Sequence, residues 1–324
     1  MTEASVQQDL SLLKSIYHST TEMLNQYIVG NDALVEVLVI GILSGGHVLI
    51  EGVPGTAKTT IAKAMARLSG CEFRRVQCAV DTQPADIIGV RVYDQEAKDF
   101  HLRKGPVFSN ILLIDEINRL NPKTQSAFIE VMSERQATID GTTLDLYSPF
   151  FVIATQNPYE FEGTFPLIEA QKDRFMFSFT SRHLAGDDEL EVVRREHTGA
   201  LRWQPYLERL KPVMNRTTIE HLVEATSRVH MEEPVLQYIR DLVVATRMHG
   251  DVRLGASSRA SIALVRGGKA VAALQNRTYV IPDDIKKLAP SVFQHRIILE
   301  REAEIGGITP GQVVDEILAA VEVP

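Results

Sequence analysis

The feature that most constrains this chain is a glycine-rich loop placed between an apolar strand and a helix. The residues HVLIE (47–51) predict a short buried strand, and the loop GVPGTAKT (52–59) leads into a helical pattern that runs to about Leu68. Successive backbone N–H groups, with a helix N-terminus behind them, form a concave anion site. The strand–loop–helix order is therefore typical of a phosphate-binding loop, and we expect it to hold the phosphates of a nucleotide.

Two side chains of the loop carry the expected chemistry. Lys58 adds a positive charge toward the β- and γ-phosphates, and the hydroxyl of Thr59 is a ligand for Mg²⁺. The usual pattern is G-x-x-x-x-G-K-[ST], and Ala57 stands where its second glycine is expected. We predict a negative φ at Ala57, in the first turn of the helix, where a methyl side chain is tolerated. The nucleotide-binding residues predicted in this segment are Gly52, Pro54, Gly55, Thr56, Ala57, Lys58, Thr59 and Thr60.

The rest of the chain predicts an α/β fold. Further apolar strands are predicted at 73–78, 111–115, 150–155 and 175–179, and helical patterns separate most of them. Buried strands that alternate with helices indicate a parallel sheet. Two segments interrupt the alternation, 89–104 and 136–147, and both predict hairpins, the second around an Asp-Gly turn.

After about residue 180 the pattern is helical only, with an amphipathic helix also predicted at the start of the chain, over 6–26. The predicted architecture is a parallel-sheet P-loop domain with hairpin inserts, followed by a smaller all-α domain. We place the α/β nucleotide-binding domain, with its N-terminal helix, at 1–182 and the helical domain at 183–324.

Composition narrows the class of protein. The 324 residues include 34 Lys plus Arg and 42 Asp plus Glu, a formal net charge of −8, and 44% are hydrophobic. This is ordinary globular composition, which excludes disordered, collagenous and disulfide-scaffold proteins, and the acidic balance argues against a dedicated nucleic-acid binder. The N-terminus lacks an apolar signal core, and polar residues interrupt the apolar stretch 33–50. We therefore expect a cytoplasmic protein without membrane insertion, whose Cys71 and Cys78 are buried or half-buried thiols.

Polar residues follow two of the predicted strands. ILLI (111–114) is followed by Asp115 and Glu116, and Asn157 comes two residues after the strand 150–155. In a parallel sheet these strand ends lie at the same edge as the phosphate loop, so the side chains face one nucleotide. We predict that Asp115 holds Mg²⁺ through water, that Glu116 polarises the attacking water, and that Asn157 orients this water or contacts the γ-phosphate.

Arg174 lies at the other end of its strand. It precedes the strand 175–179, so it is at the edge opposite the phosphate loop, and a five-residue strand spans about 17 Å, more than an arginine side chain can bridge. We expect Arg174 to reach the nucleotide of a neighbouring subunit as an arginine finger. The alternative is a surface arginine paired with Asp173 or Glu169.

Taken together, these segments closely resemble the MoxR family of AAA+ ATPases. The resemblance covers most of residues 28–260 and rests on IVGNDALVEVLVIGIL, GVPGTAKTT, LRKGPVFSNILLIDEINRLNPKTQSAFIEVMSERQATIDG, FVIATQNPYEFEGTFPLIEAQKDRF and GASSRA. It implies that the two hairpins are the helix-2 insert and the pre-sensor-1 hairpin, that Asn157 is sensor 1, that Arg174 is the arginine finger and that Arg259 is the sensor 2 arginine of the lid. Ser258 stands where the family often has proline.

The resemblance also implies cofactors and partners. It implies ATP and Mg²⁺ as cofactors, with Ile28, Val29 and Gly30 as contacts of the adenine. Proteins of this kind form homo-oligomeric rings, usually hexameric, act as chaperone-like ATPases on client proteins, and are often paired with a protein that carries a von Willebrand A domain. Whether Arg259 acts on its own nucleotide or on a neighbour's stays open.

Two other classes of function remain as alternatives. The first is a metal-chelatase-type or DNA-remodelling motor. The hairpin 89–104 nearly balances basic and acidic residues, and 136–147 has no Lys or Arg, so contacts to nucleic-acid phosphates are not expected. The second is a nucleotide-gated binding module with little turnover, and the intact Glu116, Asn157 and Arg174 argue against it. A GTP switch is disfavoured because no Asn-Lys-x-Asp tetrapeptide occurs.

Overall fold

The computed structural model describes residues 3–53, 55–158, 160 and 162–324, so the predicted loop residue Pro54 lies outside the described residues. The helices are α1 Glu3–Asn25, α2 Asp32–Leu43, α3 Lys58–Ser69, α4 Pro84–Ile88, α5 Pro122–Glu134, α6 Glu169–Lys172, α7 Gly186–His197, α8 Trp203–Arg209, α9 Arg216–Ser227, α10 Glu233–Met248, α11 Ser258–Leu274, α12 Pro282–Phe293, α13 Arg301–Ile305 and α14 Pro310–Ala320. The strands are β1 Val48–Gly52, β2 Phe73–Gln77, β3 Gly89–Asp94, β4 Asp99–Lys104, β5 Ile111–Asp115, β6 Gln136–Ile139, β7 Thr142–Asp145, β8 Phe151–Gln156, β9 Phe177–Ser181, β10 Val252–Leu254 and β11 Ile298–Leu299.

Five strands form the predicted parallel sheet, in the order β2-β5-β8-β1-β9. Its central strands β5 and β8 are buried along their whole length, as near-continuous apolar runs require when helices cover both faces. The sheet brings the carboxyl ends of β1, β5 and β8 to one edge. The predicted strand 175–179 starts later, at Phe177, because the N–H groups of Met176 and Phe177 both donate to the carbonyl of His47 and align β9 with β1.

Successive side chains of each strand point to opposite faces, which gives the molecule two hydrophobic layers. Leu49, Leu112 and Val152 belong to the layer that packs against α5. Val48, Ile153 and Phe177 belong to the other layer, which continues without a break through α2, α3 and the helices from α9 onward. The C-terminal helices thus share a core with the sheet.

The C-terminal region is mainly helical, as predicted, and its close contact with the sheet depends on a glycine. A Cβ at Gly267 of α11 would lie 2.9 Å from Cζ of Phe177, so only glycine lets α11 approach β9 this closely. The all-α prediction is wrong in one detail, because β10 and β11 form a small antiparallel pair. Strands of three and two residues are too short for alternation to reveal them.

Both predicted hairpins are present, β3–β4 and β6–β7, and Arg91 of the first donates to Oγ1 of Thr142 of the second at 2.9 Å. Cys71 is half-buried, Cys78 is buried, and both are free thiols, as expected. Burial raises the pKa of Cys78 to about 12. None of the helices among the described residues is both long and apolar enough to cross a bilayer.

Candidate functional site

A cleft of about 450 Å³ lies at the carboxyl edge of the sheet, where the loop after β1, the first turn of α3 and the ends of β5 and β8 meet. These elements converge because β1, β8 and β5 are adjacent and parallel. Ten residues predicted from the sequence line the cleft: Gly52, Gly55, Thr56, Ala57, Lys58, Thr59, Thr60, Asp115, Glu116 and Asn157. Four that were not predicted also line it: Arg75, Gln77, Thr155 and Gln156.

The ammonium of Lys58 is held inside the loop. Its Nζ donates to the carbonyls of Gly52 and Val53, at 2.8 Å each. Burial lowers the pKa of Lys58, and the nearby charges of Asp115 and Glu116 oppose that shift. Gly52 is required at its position, because φ is +145° there and a Cβ would lie 2.2 Å from the carbonyl oxygen of Ser181. The loop therefore presents one cation and a glycine backbone to the cleft.

The predicted backbone at Ala57 is wrong. We expected a negative φ, but Ala57 has φ +57° and ψ 14°, in the left-handed region, immediately before the first residue of α3. The position therefore has the conformation that favours the glycine of the usual loop pattern. Alanine in this conformation is strained by about 1–2 kcal/mol, because its Cβ crowds the following carbonyl.

This strain yields a stability prediction. Ala57→Gly is expected to raise the free energy of unfolding by about 0.5–1 kcal/mol, since relief of the left-handed alanine exceeds the extra entropy that glycine gives the unfolded chain. Urea unfolding followed by circular dichroism measures the change. The matched control is Ala127→Gly inside α5, which is also half-buried and has no positive φ. That control should lose about 0.5–1 kcal/mol, and the strain argument is wrong if both variants lose stability.

An oxygen cluster surrounds Asp115, the residue predicted to hold Mg²⁺. Its Oδ2 accepts from Oγ1 of Thr59 at 3.0 Å, and its Oδ1 accepts from Oγ1 of Thr155 at 2.6 Å. Burial acts to raise the pKa of Asp115, but hydrogen bonds from Thr155, Arg75 and Thr59 outweigh it, so the pKa lies below its usual value. An ionised carboxylate beside a hydroxyl, both facing the cleft, is a donor set that fits Mg²⁺, which prefers oxygen ligands.

Glu116, the residue predicted to polarise water, has a strained backbone. Its φ is +60° and its ψ 54°, and its N–H donates to Oγ1 of Thr155 at 2.9 Å. The carboxylate oxygen Oε2 lies 2.9 Å from Nε of Arg119 and accepts from Nε2 of Gln77 at 3.2 Å. Arg119 also pairs with Glu160. This backbone conformation is unfavourable for glutamate, so the surrounding contacts must maintain it. Strained residues of this kind are typical of functional sites.

A second cleft, of about 310 Å³, adjoins the first across the phosphate loop. Residues 55–57 and Thr60 line both. The predicted adenine contacts Ile28 and Val29 line this second cleft, together with His183 and Leu184. The third predicted contact, Gly30, has φ +69° and packs against the first turn of α7: a Cβ there would lie 2.6 Å from Oδ2 of Asp188. The apolar side chains of Ile28, Val29, Leu184 and Val192 form part of its walls, which suits the faces of a nucleobase.

Arg174 and Arg259 lie away from both clefts. β9 runs parallel to β1 with Phe177 beside Val48 and Ser181 beside Gly52, so Arg174 precedes the strand at the edge opposite the phosphate loop. The alternative pairing with Asp173 or Glu169 is not seen: among the described residues, the guanidinium of Arg174 has no ion-pair partner. Arg259 is at the same edge, because its Nη1 lies 3.2 Å from Oδ2 of Asp173.

Asp173 holds this second group of residues together. Its carboxylate accepts from Nε of the buried Arg296 at 2.8 Å and from Oγ of Ser257 at 2.9 Å, besides its contact with Arg259. Burial acts to raise the pKa of Asp173, but these hydrogen bonds and the charge of Arg296 outweigh it and lower the pKa. The residue before Arg174 therefore ties the C-terminal helices to the sheet and holds Arg259 at the same edge as Arg174.

The sequence contains signals for some of the functional residues that were not predicted. Thr155 is a polar residue at the end of the otherwise apolar predicted strand 150–155, and Arg75 and Gln77 share one face of β2 by their spacing of two. Arg296 carried no such signal, because its partner Asp173 is 123 positions away in the chain.

Comparisons with known proteins agree with this arrangement. A family model described as ATPase family associated with various cellular activities (AAA) matches residues 47–177, and a model described as AAA lid domain matches residues 244–317. The protein YeaC of Bacillus subtilis is 42% identical over 312 residues, which covers 96% of each chain. Chaperone MoxR1 of Mycobacterium tuberculosis is 40% identical over 306 residues, 92% of this chain and 79% of that protein.

Among solved structures, this chain is similar to a "putative ATPase" from Cytophaga hutchinsonii, with a TM-score of 0.89 and 38% sequence identity over 99% of this chain and 98% of that chain. The parallel sheet, the phosphate loop and these relatives lead to one conclusion: the chain belongs to the MoxR family of AAA+ ATPases.

Proposed function

We propose that this protein binds ATP with Mg²⁺, hydrolyses it, and uses the resulting conformational change to remodel or mature client proteins. The observation that carries the proposal is the convergence of Lys58, Thr59, Asp115, Glu116 and Asn157 on one cleft. The relative from Mycobacterium tuberculosis is named a chaperone, which supports the choice of a protein client.

Each residue of the cleft has a distinct task in this proposal. The N–H groups of residues 55–59 and the ammonium of Lys58 bind the β- and γ-phosphates. Thr59 and Asp115 would hold Mg²⁺, whose contribution when bound is to neutralise phosphate charge. Glu116 accepts a hydrogen bond from the attacking water and aligns it, and Asn157 orients the same water through its amide. Ile28 and Val29 contact the adenine in the second cleft.

The positions of Arg174 and Arg259 support a proposal about how neighbouring subunits complete the site. A strand separates Arg174 and Arg259 from the phosphate loop of their own subunit, a length of about 17 Å. We therefore propose that both act on the nucleotide of an adjacent subunit, in a homo-oligomeric ring of six.

The resemblance to the MoxR family supports two further parts of the proposal. The partner is a protein that carries a von Willebrand A domain, and the protein acts in the cytoplasm.

Residues 183–324 would act as the lid on the nucleotide-binding domain 1–182, with the hinge at 181–186. The support is that His183, Leu184, Glu189 and Val192, directly after the proposed boundary, form one wall of the second cleft. A nucleotide bound there contacts both sides of the hinge, so its loss changes their relative position.

Lys58→Ala tests the nucleotide site directly. Removal of a charge-assisted contact to phosphate is expected to weaken ATP binding by about 10- to 100-fold. Fluorescence of a mant-labelled ATP titrated with protein in the presence of Mg²⁺ measures this. Lys63→Ala, on the same helix α3 but outside the cleft, is the matched control and should bind as the wild type does. Equal binding by Lys58→Ala and the wild type would show that this cleft is not the nucleotide site.

A further inference from the structure

We infer that Arg75 is a built-in counter-cation of Asp115 that sets the concentration of Mg²⁺ at which the site binds nucleotide. The inference rests on the proposed function, since it assumes that Asp115 holds the metal. Its basis is an ion pair between Arg75, on the edge strand β2, and Asp115, at the end of β5. The phosphate loop does not need this ion pair for its own geometry.

The contact is close and has two donors. Nη2 of Arg75 lies 2.7 Å and Nε 3.2 Å from Oδ2 of Asp115. The same oxygen accepts from Oγ1 of Thr59 at 3.0 Å. Arg75 therefore pairs with the carboxylate oxygen that faces the other proposed ligand of Mg²⁺, and not with the oxygen on the far side.

Neighbouring side chains hold this geometry. Nη2 of Arg75 also donates to Oε1 of Gln77, two residues along the same face of β2, and Gln77 in turn donates to Glu116 at 3.2 Å. On the other side, Oδ1 of Asp115 is engaged by the hydroxyl of Thr155 at 2.6 Å. Oδ2 is the oxygen that faces the hydroxyl of Thr59, the other proposed ligand of Mg²⁺, so it is the oxygen for which the two cations compete.

The competition is electrostatic. A guanidinium and a divalent cation near one oxygen repel each other, and the side chain of Asp115 is only 11% exposed, so water screens the repulsion weakly. The side chain of Arg75 is 37% exposed and has room to move toward solvent when the metal binds. Metal binding then breaks the ion pair between Arg75 and Asp115, so the free energy of metal binding is less favourable by the free energy of that ion pair.

The test is a titration of Mg²⁺ at fixed protein and fixed mant-ADP, followed by nucleotide fluorescence, which needs no turnover. Arg75→Gln keeps a polar side chain but removes the charge, and we expect its half-saturating Mg²⁺ concentration to fall roughly three- to ten-fold. Arg75→Lys keeps the charge but loses the second donor, so its half-saturating Mg²⁺ concentration should fall less than that of Arg75→Gln. In EDTA, Arg75→Gln should bind mant-ADP no more tightly than the wild type, because without the metal there is no competition to relieve.

The matched control is Arg74→Gln. Arg74 is adjacent on β2, is exposed, pairs with Glu72 at 3.0 Å, and does not line the cleft, so its Mg²⁺ dependence should equal that of the wild type. A thermal melt shows that each variant is folded. The inference is overturned if Arg75→Gln needs as much Mg²⁺ as the wild type or more, or if it loses affinity equally with Mg²⁺ and EDTA, as a direct phosphate ligand would.

These outcomes are separable from a failure of the proposed function. If Lys58→Ala loses mant-ADP while Arg75→Gln has an unchanged Mg²⁺ dependence, only the role of Arg75 is wrong. If the wild type and Lys58→Ala bind mant-ADP alike, the nucleotide site itself is misplaced, and the inference on Arg75 falls with it.

Discussion

Replacement of Arg174 by alanine is expected to lower ATP turnover per subunit by about 10³–10⁵-fold, the size of effect that an arginine finger has on phosphoryl transfer. Nucleotide binding should change little, because Arg174 lies at the edge of the sheet opposite the phosphate loop of its own subunit. Turnover at saturating ATP and fluorescence of mant-ATP measure the two quantities separately. The control Arg301→Ala removes an exposed arginine at the start of α13 and should keep wild-type turnover.

A mixing experiment then shows in which subunit Arg174 acts. The Arg174→Ala subunit still has Glu116, and the Glu116→Gln subunit still has Arg174. In a ring assembled from both, a site is complete wherever an Arg174→Ala subunit binds the nucleotide and its neighbour is a Glu116→Gln subunit that supplies Arg174. Random co-assembly at equal amounts makes about a quarter of the sites complete, and about a quarter of wild-type turnover should return. No recovery in co-expressed mixed rings would place the arginine in its own subunit, and normal turnover by Arg174→Ala alone would remove the finger role.

Glu116→Gln is the second change with a large expected effect. Turnover should fall by about 10²–10⁴-fold, because an amide cannot accept a proton from the attacking water. Binding of ATP should persist, since Lys58, Thr59 and Asp115 are unchanged. Glutamine has nearly the same shape and the same backbone preference as glutamate, so the left-handed conformation at this position costs the same in both proteins.

Single-turnover hydrolysis and mant-ATP fluorescence make the measurement. Glu130→Gln, on the exposed side of α5, is the matched control and should hydrolyse ATP as the wild type does. Turnover by Glu116→Gln within a few-fold of the wild type would show that another group aligns the water, and Asn157 at the end of the neighbouring strand would be the next residue to replace.

The local pattern of the chain was sufficient for the parallel sheet and for the cleft. Apolar runs identify buried strands, the glycine-rich loop identifies its own strand, and parallel strands bring their carboxyl ends to one edge. The sequence alone therefore predicts that Lys58, Asp115 and Asn157 surround one cleft, as the structure shows. All of these predictions use the spacing of apolar residues within segments of about ten residues. They also use the rule that parallel strands have their carboxyl ends at the same edge of the sheet.

Other features depend on contacts that no local pattern encodes. The pairing of Arg75 with Asp115 joins residues 40 positions apart. The position of Arg259 depends on Asp173, 86 residues before it. Side chains that meet across such separations are brought together by the packing of whole elements. Periodicity therefore predicted which edge of the sheet carries the cleft, but not the charged side chains that pair with Asp115 and Arg259.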